Sequence, residues 1–158
     1  MKKITVVGLS LLISTMAILA TENTQVTYPK NYKEWTHIKT LIIKPEHPMG
    51  NIFHGIHHIY ANNKAYEGYK SGTFEDGSVI VLDFLNYADV NETISETSRI
   101  YVATMKKESK KYSKTYGWGY EAFKGNTEKK LVNDVDKMCV KCHESQVKNN
   151  YVFSKIRK

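Results

Sequence analysis

The two cysteines of the chain lie close together near its C-terminal end, in the sequence Cys139-Val140-Lys141-Cys142-His143. This C-x-x-C-H pattern is typical of sites where a c-type haem is attached covalently. Positions three apart share one face of a helix, so both sulfur atoms can reach the vinyl groups along one haem edge. The following residue, His143, can then ligate the iron through its imidazole. The motif therefore predicts a single covalently attached haem c on a C-terminal helix.

Two other kinds of site use the same cysteine spacing. A redox-active dithiol normally opens a helix in a thioredoxin-like βαβ unit, and no such pattern surrounds Cys139. A structural zinc site needs about four ligands, and the chain has no third cysteine to complete one. Haem attachment is therefore the favoured interpretation of the motif.

The first twenty residues have the form of a secretory signal peptide. Lys2 and Lys3 precede an uncharged, mostly apolar run that ends at Ala20, which is the arrangement typical of an export signal. Cleavage is expected after Ala20, and an uncleaved membrane anchor is the alternative. Export is consistent with the motif, because bacterial c-type haem attachment is completed outside the cytoplasm. We therefore expect a periplasmic protein with a signal peptide over residues 1–20 and one haem-binding domain over residues 21–158.

The chain is basic, with a formal net charge of +7 at pH 7. Its densest group of positive charges is Lys106, Lys107, Lys110 and Lys111, around Glu108. A solvated basic face is the simplest interpretation of this group, and docking of an acidic redox partner is the alternative. Binding of nucleic acid is not expected of an exported haem protein.

Short segments with strand character dominate the rest of the chain. Alternation, β-branched residues and turn signals predict strands over residues 36–44, 52–61, 79–85, 99–105 and 117–123. The run 79–85 is mostly apolar, which indicates a strand buried on both faces. Short helices are predicted over residues 29–35, 62–69 and 108–112, and Asp134 or Asp136 is expected to cap the motif helix. The fold predicted is α+β, mainly β: an antiparallel β-sheet with a few short helices, the C-terminal helix carrying the haem motif.

The position of the motif limits the choice of a second iron ligand. No methionine follows Cys142, so a downstream methionine cannot complete the coordination. Met138 is too close to the attachment site to reach across the ring, and Met105 falls on a predicted strand, where core packing is the simpler role. A five-coordinate iron with one open face is therefore expected, which is typical of ligand binding or chemistry at the iron.

Seven short blocks of sequence, spread over residues 28–154, carry a family resemblance. They are YPKNYKEW at 28–35, GIHHIYAN at 55–62, GTFEDGSV at 72–79, KESKKY at 107–112, GWG at 117–119, CVKCH at 139–143 and VFS at 152–154. In this order the blocks resemble the cytochrome P460 family, which divides into the P460 enzymes and the β-sheet cytochromes c′. The resemblance implies a mainly antiparallel-β, periplasmic haem protein that forms a homodimer and has an open distal face.

Two positions separate the branches of that family. In the P460 enzymes a lysine cross-links to the haem, and a carboxylate on a later strand transfers protons. The resemblance places these two functions at Leu82 and Ala103, where this chain has neither group. It therefore implies an ordinary haem c and a pocket without its general acid and base, which disfavours oxidation of hydroxylamine. The chain is more similar to the β-sheet cytochromes c′.

The same resemblance suggests which residues line the distal side of the haem. Strand alternation puts Phe53 and His57 on one face, and Leu82 and Phe84 on one face of another strand. The family pattern places Phe53 and residue 82 over the iron, with Ala103 beside them. An apolar cap excludes water and offers no hydrogen bond to bound O₂. Of the diatomic ligands, neutral NO and CO are therefore those whose binding is weakened least. Plain core packing is the alternative for the apolar residues, and a surface or hydrogen-bonded histidine is the alternative for His57.

Three functions follow, in order of preference. The first is a non-enzymatic cytochrome that binds NO and CO and acts as an NO sensor, buffer or scavenger. The second is a P460-type oxidoreductase acting on hydroxylamine or NO. The third is a periplasmic electron carrier in which a residue such as His57 supplies the sixth iron ligand.

Overall fold

The computed structural model describes residues 26–156, so the predicted signal peptide and its cleavage site lie outside the described residues. Within residues 26–156, five strands form one antiparallel sheet in the order of the sequence, each pairing with its neighbour along the chain. The strands are β1 Thr36–Ile43, β2 Gly55–Ala61, β3 Val79–Val90, β4 Thr93–Lys107 and β5 Trp118–Lys124. The predicted mainly β, antiparallel fold with a few short helices is confirmed.

The predicted strand over residues 52–61 is wrong in its first part. Residues Gly50–Phe53 form a short helix, α1, and β2 begins only at Gly55. Gly50 lies so close to the preceding loop that a β-carbon on it would be 2.2 Å from the carbonyl oxygen of Pro45. This close approach closes the turn that leads into α1. Phe53 is consequently on a helix, and the prediction that it alternates with His57 along one strand is wrong. Its ring still lies 6.4 Å from the ring of His57.

The strands β3 and β4 are longer than predicted. They continue beyond the predicted ends to a two-residue turn at Asn91 and Glu92, which have φ angles of 52° and 60°. Positive φ at both central residues is the conformation of the type I′ hairpin turn. The turn lacks the Asn-Gly or Asp-Gly pair that signals such hairpins, which is why the sequence pattern missed it.

The remaining helical segments flank the sheet. Helix α2, Asn63–Ser71, confirms the helix predicted over 62–69; Asn62 accepts a hydrogen bond from the amide of Ala65 at 2.9 Å and caps it. The helix predicted over residues 29–35 is only a 3₁₀ turn, Tyr32–Glu34. The helix predicted over residues 108–112 does not form; turns lie there, followed by a 3₁₀ turn at Ser113–Thr115. No helix among residues 26–156 is long and apolar enough to cross a membrane.

The predicted C-terminal helix is confirmed over residues 136–149, which we call the motif segment. It consists of a π-type turn, Asp136–Val140, one α-helical turn, Lys141–His143, and 3₁₀ turns, Glu144–Asn149. Of the two predicted caps, Asp134 is the one that acts, because its carboxylate accepts a hydrogen bond from the amide of Lys137 at 3.1 Å. A π-type turn inside a helix is frequently found at functional sites.

The sheet buries both of its faces. One face, which we call the helical face, packs against α2 and the motif segment around Ile80, Met105 and Trp118. The other, which we call the N-terminal face, is covered by residues 26–35, whose Tyr32 packs on Val81 of β3. The prediction that residues 79–85 are buried on both faces is therefore confirmed.

A buried ion pair joins the elements on the N-terminal face. Asp83, whose side chain is 4% exposed, accepts hydrogen bonds from Arg99 Nε at 2.5 Å and Nη2 at 2.9 Å. The hydroxyl of Tyr32 donates to the same carboxylate at 2.7 Å, and the guanidinium of Arg99 also contacts Asn126. This two-pronged geometry is the strong form of an arginine–carboxylate pair, and it ties the N-terminal segment and the loop after β5 to the centre of the sheet.

We expect Asp83→Asn to lower the free energy of unfolding by about 3 kcal/mol, because Arg99 would keep a buried charge without its counter-charge. Chemical denaturation measures the change. Tyr32→Phe is the control: it removes one hydrogen bond to the same carboxylate and should cost only about 1 kcal/mol. Equal losses in the two variants would contradict the importance assigned to the ion pair.

Candidate haem-binding site

The motif segment lies on the helical face of the sheet. Val140 is 6% exposed and packs in the core of that face, as does Val152, which is 1% exposed. Cys139 is half-buried against the same core, whereas Cys142 is exposed, and both cysteines are free thiols. The segment therefore presents two unpaired thiols one helical turn apart, beside an apolar surface.

His143 is held in the form that ligates a metal. Its Nδ1 lies 2.7 Å from the carbonyl oxygen of Tyr151, and a carbonyl can only accept, so Nδ1 carries the proton and Nε2 has a free lone pair. Burial lowers the pKa of His143 below its ordinary value, which keeps the ring neutral. A second-shell carbonyl that fixes the tautomer in this way is a regular feature of metal-binding histidines.

Two aromatic rings complete the support of His143. The ring of Tyr120 lies 4.9 Å from the imidazole and that of Phe153 lies 5.0 Å from it. Tyr120 comes from β5 and is 8% exposed, and its hydroxyl is buried without a hydrogen-bond partner among the described residues. The imidazole is therefore fixed by a hydrogen bond and by packing on two sides. No sequence pattern indicates these contacts, because the two rings come from separate parts of the chain.

A strained turn supplies the carbonyl that holds His143. Asn150 and Tyr151 have φ angles of 52° and 65°, and a non-glycine residue in this region costs on the order of 1–3 kcal/mol. The turn is held by hydrogen bonds from Trp118 Nε1 to the Asn150 carbonyl at 3.0 Å and from the Asn150 side chain to the Gly72 carbonyl at 2.5 Å. The only sequence signal was Asn150 itself, since asparagine tolerates this conformation best after glycine.

The burial of Cys139 distinguishes this site from a redox-active dithiol. Burial raises the pKa of its thiol to about 11, whereas redox-active cysteines have lowered pKa values and react as thiolates. Among residues 26–156, no three or more histidine, cysteine, aspartate or glutamate side chains are grouped to hold a metal ion. Two thiols and one imidazole suit the attachment and ligation of a haem.

A row of apolar side chains crosses the helical face next to the motif segment. In the register of the sheet, Ile59 pairs with Leu82, Leu82 with Ala103, and Ala103 with Ala122. Leu82 and Cys139 pack against the same core, and Leu82, Ala103 and Ala122 are only partly buried. The structure therefore brings Leu82 and Ala103 side by side, on the face where the cysteines lie.

The next row of the same face contains two other predicted residues. His57 pairs with Phe84, and their rings are 4.4 Å apart. His57 is 4% exposed and its Nε2 donates to the carbonyl of Phe53 at 2.7 Å, which leaves only Nδ1 as an acceptor. Burial lowers its pKa, so it is a neutral, hydrogen-bonded histidine. Phe53 lies on α1, at the margin of this row.

The fold and the site define a haem-binding cytochrome built on an antiparallel sheet. A family model for cytochrome P460 matches residues 29–154, which is nearly all of the described chain. The chain belongs to the cytochrome P460 family, and haem is accordingly its cofactor. No curated protein matches the chain.

In the haem-free chain, the two thiols should differ strongly in reactivity. With a pKa of about 11, Cys139 is about one part in a thousand thiolate at a pH of about 8. We expect the exposed Cys142 to be alkylated first, and the rate at Cys139 to rise about tenfold for each pH unit below 11. Iodoacetamide labelling followed by mass spectrometry measures both rates. Cys142→Ser and Cys139→Ser give the single-thiol controls, and matching rates in these two variants would refute the difference.

Proposed function

We propose that this chain is an exported cytochrome with one covalently attached haem c and a five-coordinate iron that binds NO and CO for NO sensing, buffering or scavenging. Cys139 and Cys142 would form the thioether bonds, and His143 would be the only protein ligand of the iron. The bound haem supplies a ferrous iron that accepts a diatomic ligand on its open face. Location in the periplasm and a homodimeric state belong to the proposal and rest on residues 1–20 and on the family.

The observation that carries the proposal is the in-register pair of Leu82 and Ala103. These positions correspond in the family to the cross-linking lysine and the proton-transferring carboxylate of the enzymes, and both side chains here are apolar. An apolar wall excludes water and provides no hydrogen bond to a polar ligand, so NO and CO are favoured over O₂. It also provides no group to move a proton during oxidation of hydroxylamine.

The buried carboxylates of the sheet are already engaged in hydrogen bonds. Two carboxylates are buried among the described residues, those of Asp83 and Glu121. Asp83 lies on the N-terminal face, bound to Arg99. Glu121 alternates with Tyr120 along β5 and accepts hydrogen bonds from the amides of Ala122 at 2.9 Å and Val132 at 3.1 Å. Asp83 therefore faces away from the apolar row, whereas the carboxylate of Glu121 lies beside Ala122 of that row and close enough to Cys139 to help raise the pKa of its thiol. Both carboxylates are already held by hydrogen bonds, and this supports ligand binding rather than P460-type oxidation.

The hydrogen bond of His57 argues against the electron carrier. A sixth ligand must offer a lone pair, and in His57 only Nδ1 offers one, because Nε2 donates to the Phe53 carbonyl. Ligation through Nε2 would break this bond inside a site that is 4% exposed, which costs about 1–3 kcal/mol for the carbonyl left without a partner. The hydrogen bond therefore disfavours ligation through Nε2, and this supports the proposal of an iron with one axial histidine.

The absorption spectrum tests the proposal directly. We expect the purified ferrous protein to show an ordinary high-spin haem c spectrum that changes on addition of CO or NO. His143→Ala should abolish the normal iron ligation while Cys139 and Cys142 still retain the haem. A strongly red-shifted Soret band would reveal a cross-link to the macrocycle, and a low-spin ferrous spectrum would reveal a sixth ligand; either result would overturn the proposal. Turnover of hydroxylamine with an electron acceptor would favour the enzyme.

Leu82→Ala should speed the association of CO with the ferrous protein by about tenfold, because it removes bulk from the apolar wall. Flash photolysis measures the rate. Leu82→Met is the matched control: it conserves volume and polarity and should leave the rate close to that of the unmodified chain. If Leu82→Ala has the same rate as Leu82→Met, Leu82 does not line the path of the ligand.

A further inference from the structure

An aromatic contact connects the support of His143 to the protein surface. The carbonyl of Tyr151 holds His143 at 2.7 Å, and the ring of Tyr151 stacks on that of Tyr116, with 4.5 Å between centroids and 8° between planes. Tyr116 is 43% exposed. One hydrogen bond and one ring stack therefore separate the axial ligand from an exposed aromatic side chain.

Positive charges are concentrated in the chain leading to Tyr116. Residues 106–116 contain five lysines and a single acid, Glu108. Glu108 pairs with Lys106 at 2.5 Å and with Lys111 at 3.7 Å. Lys107 donates to the carbonyl of Tyr116 at 3.0 Å and lies over the ring of Trp118. Lys107 thus connects this basic segment to the backbone of Tyr116.

Two lysines of the same stretch remain available to a partner. Lys110 and Lys114 are exposed and make no ion pair with any described residue. The acids nearby are already engaged: Asp76 accepts from the amide of Ser109 at 2.8 Å and from its hydroxyl at 2.7 Å, and Glu144 accepts from the hydroxyl of Tyr116 at 2.7 Å. The surface therefore combines the exposed ring of Tyr116, whose hydroxyl binds Glu144, with two exposed lysines close to it in the chain.

We propose that this surface, Tyr116 with Lys110 and Lys114, is where an acidic electron-transfer protein docks and exchanges electrons with the haem. This inference rests on the proposed function, because it requires a haem ligated by His143. An aromatic centre with charges at the rim is the usual anatomy of a protein interface, and complementary charge steers the encounter of transient redox partners. Its link to the haem site distinguishes this surface from a merely solvated basic face, because Lys107 holds the backbone of Tyr116 and the ring of Tyr116 stacks on Tyr151.

Charged inorganic oxidants test the surface on the haem-loaded protein. Hexacyanoferrate(III), an anion, takes one electron from the ferrous haem and becomes hexacyanoferrate(II); tris(phenanthroline)cobalt(III), a cation, takes one electron and becomes the cobalt(II) complex. At about 10 mM ionic strength, we expect Lys110→Glu with Lys114→Glu to slow oxidation by the anion about tenfold and to speed oxidation by the cation. The difference should vanish at high salt.

The matched control reverses two lysines elsewhere. Lys30→Glu with Lys33→Glu changes the net charge equally, on the segment that covers the N-terminal face, where both side chains are exposed. We expect this control to change the rate with the anion by less than about twofold. Equal slowing in both pairs would mean that only net charge matters and would overturn the inference.

The ring of Tyr116 has its own test. Tyr116→Leu should slow oxidation by both reagents even at high salt, and Tyr116→Phe, which keeps the stack on Tyr151, should restore the rate. An unchanged haem spectrum in both variants shows that His143 ligation is intact. If Tyr116→Leu oxidises as fast as Tyr116→Phe, the ring has no part in the exchange.

A second measurement does not depend on electron transfer. Hexacyanochromate(III) is paramagnetic and broadens amide resonances near its binding place, and diamagnetic hexacyanocobaltate(III) is its control. We expect broadening centred on residues 109–117, and centring elsewhere would overturn the inference. A chain that carries no haem, or lacks His143 ligation, would instead contradict the proposed function while this measurement still reports on the surface.

Discussion

The hydrogen bond from His143 Nδ1 to the carbonyl of Tyr151 is the interaction on which the site depends. It selects the tautomer whose Nε2 can ligate a metal, and it aims the ring. The acceptor is a backbone atom in a turn with two residues at positive φ, so the strain of the backbone and the direction of the imidazole are linked. Trp118 contributes to both, because it fills the core beneath the turn and donates to its backbone.

In the proposed function, the chemistry available to the haem depends on the apolar row of the sheet. Pairing between β3 and β4 brings Leu82 and Ala103 together, and the alternation of strands sends the acidic Asp83 to the other face. Under the proposed function, two side chains would be enough to change a protein of this family from an enzyme to a ligand-binding protein, with the sheet and His143 unchanged. The cofactor would be the same in both cases, and only the side chains that face it would differ.

The sequence predicted most of the sheet and the motif, for reasons that particular residues illustrate. The strands around Val81 and Val102 were found because alternation and apolar runs record burial directly. Helix α1 was missed because four residues carry no periodicity and the turn depends on how closely Gly50 approaches Pro45. The carbonyl of Tyr151 could not be predicted, because a backbone acceptor leaves no mark on the side chains. The cysteines and His143 were identified because their spacing is itself the signal.

The sequential order of the strands has a consequence for when the haem can be added. Each strand of this sheet pairs with its neighbour along the chain, so every strand pairing can form without the residues of the motif segment. The motif segment and the residues that follow it are the last described part of the chain, and they join the sheet through few buried side chains, chiefly Val140 and Val152. We expect the sheet to be complete before the segment docks, so that the thiols stay accessible to attachment on an otherwise folded protein. If the sheet forms first, the amides of residues 136–149 in the haem-free chain will be less protected from hydrogen exchange than those of β3 and β4.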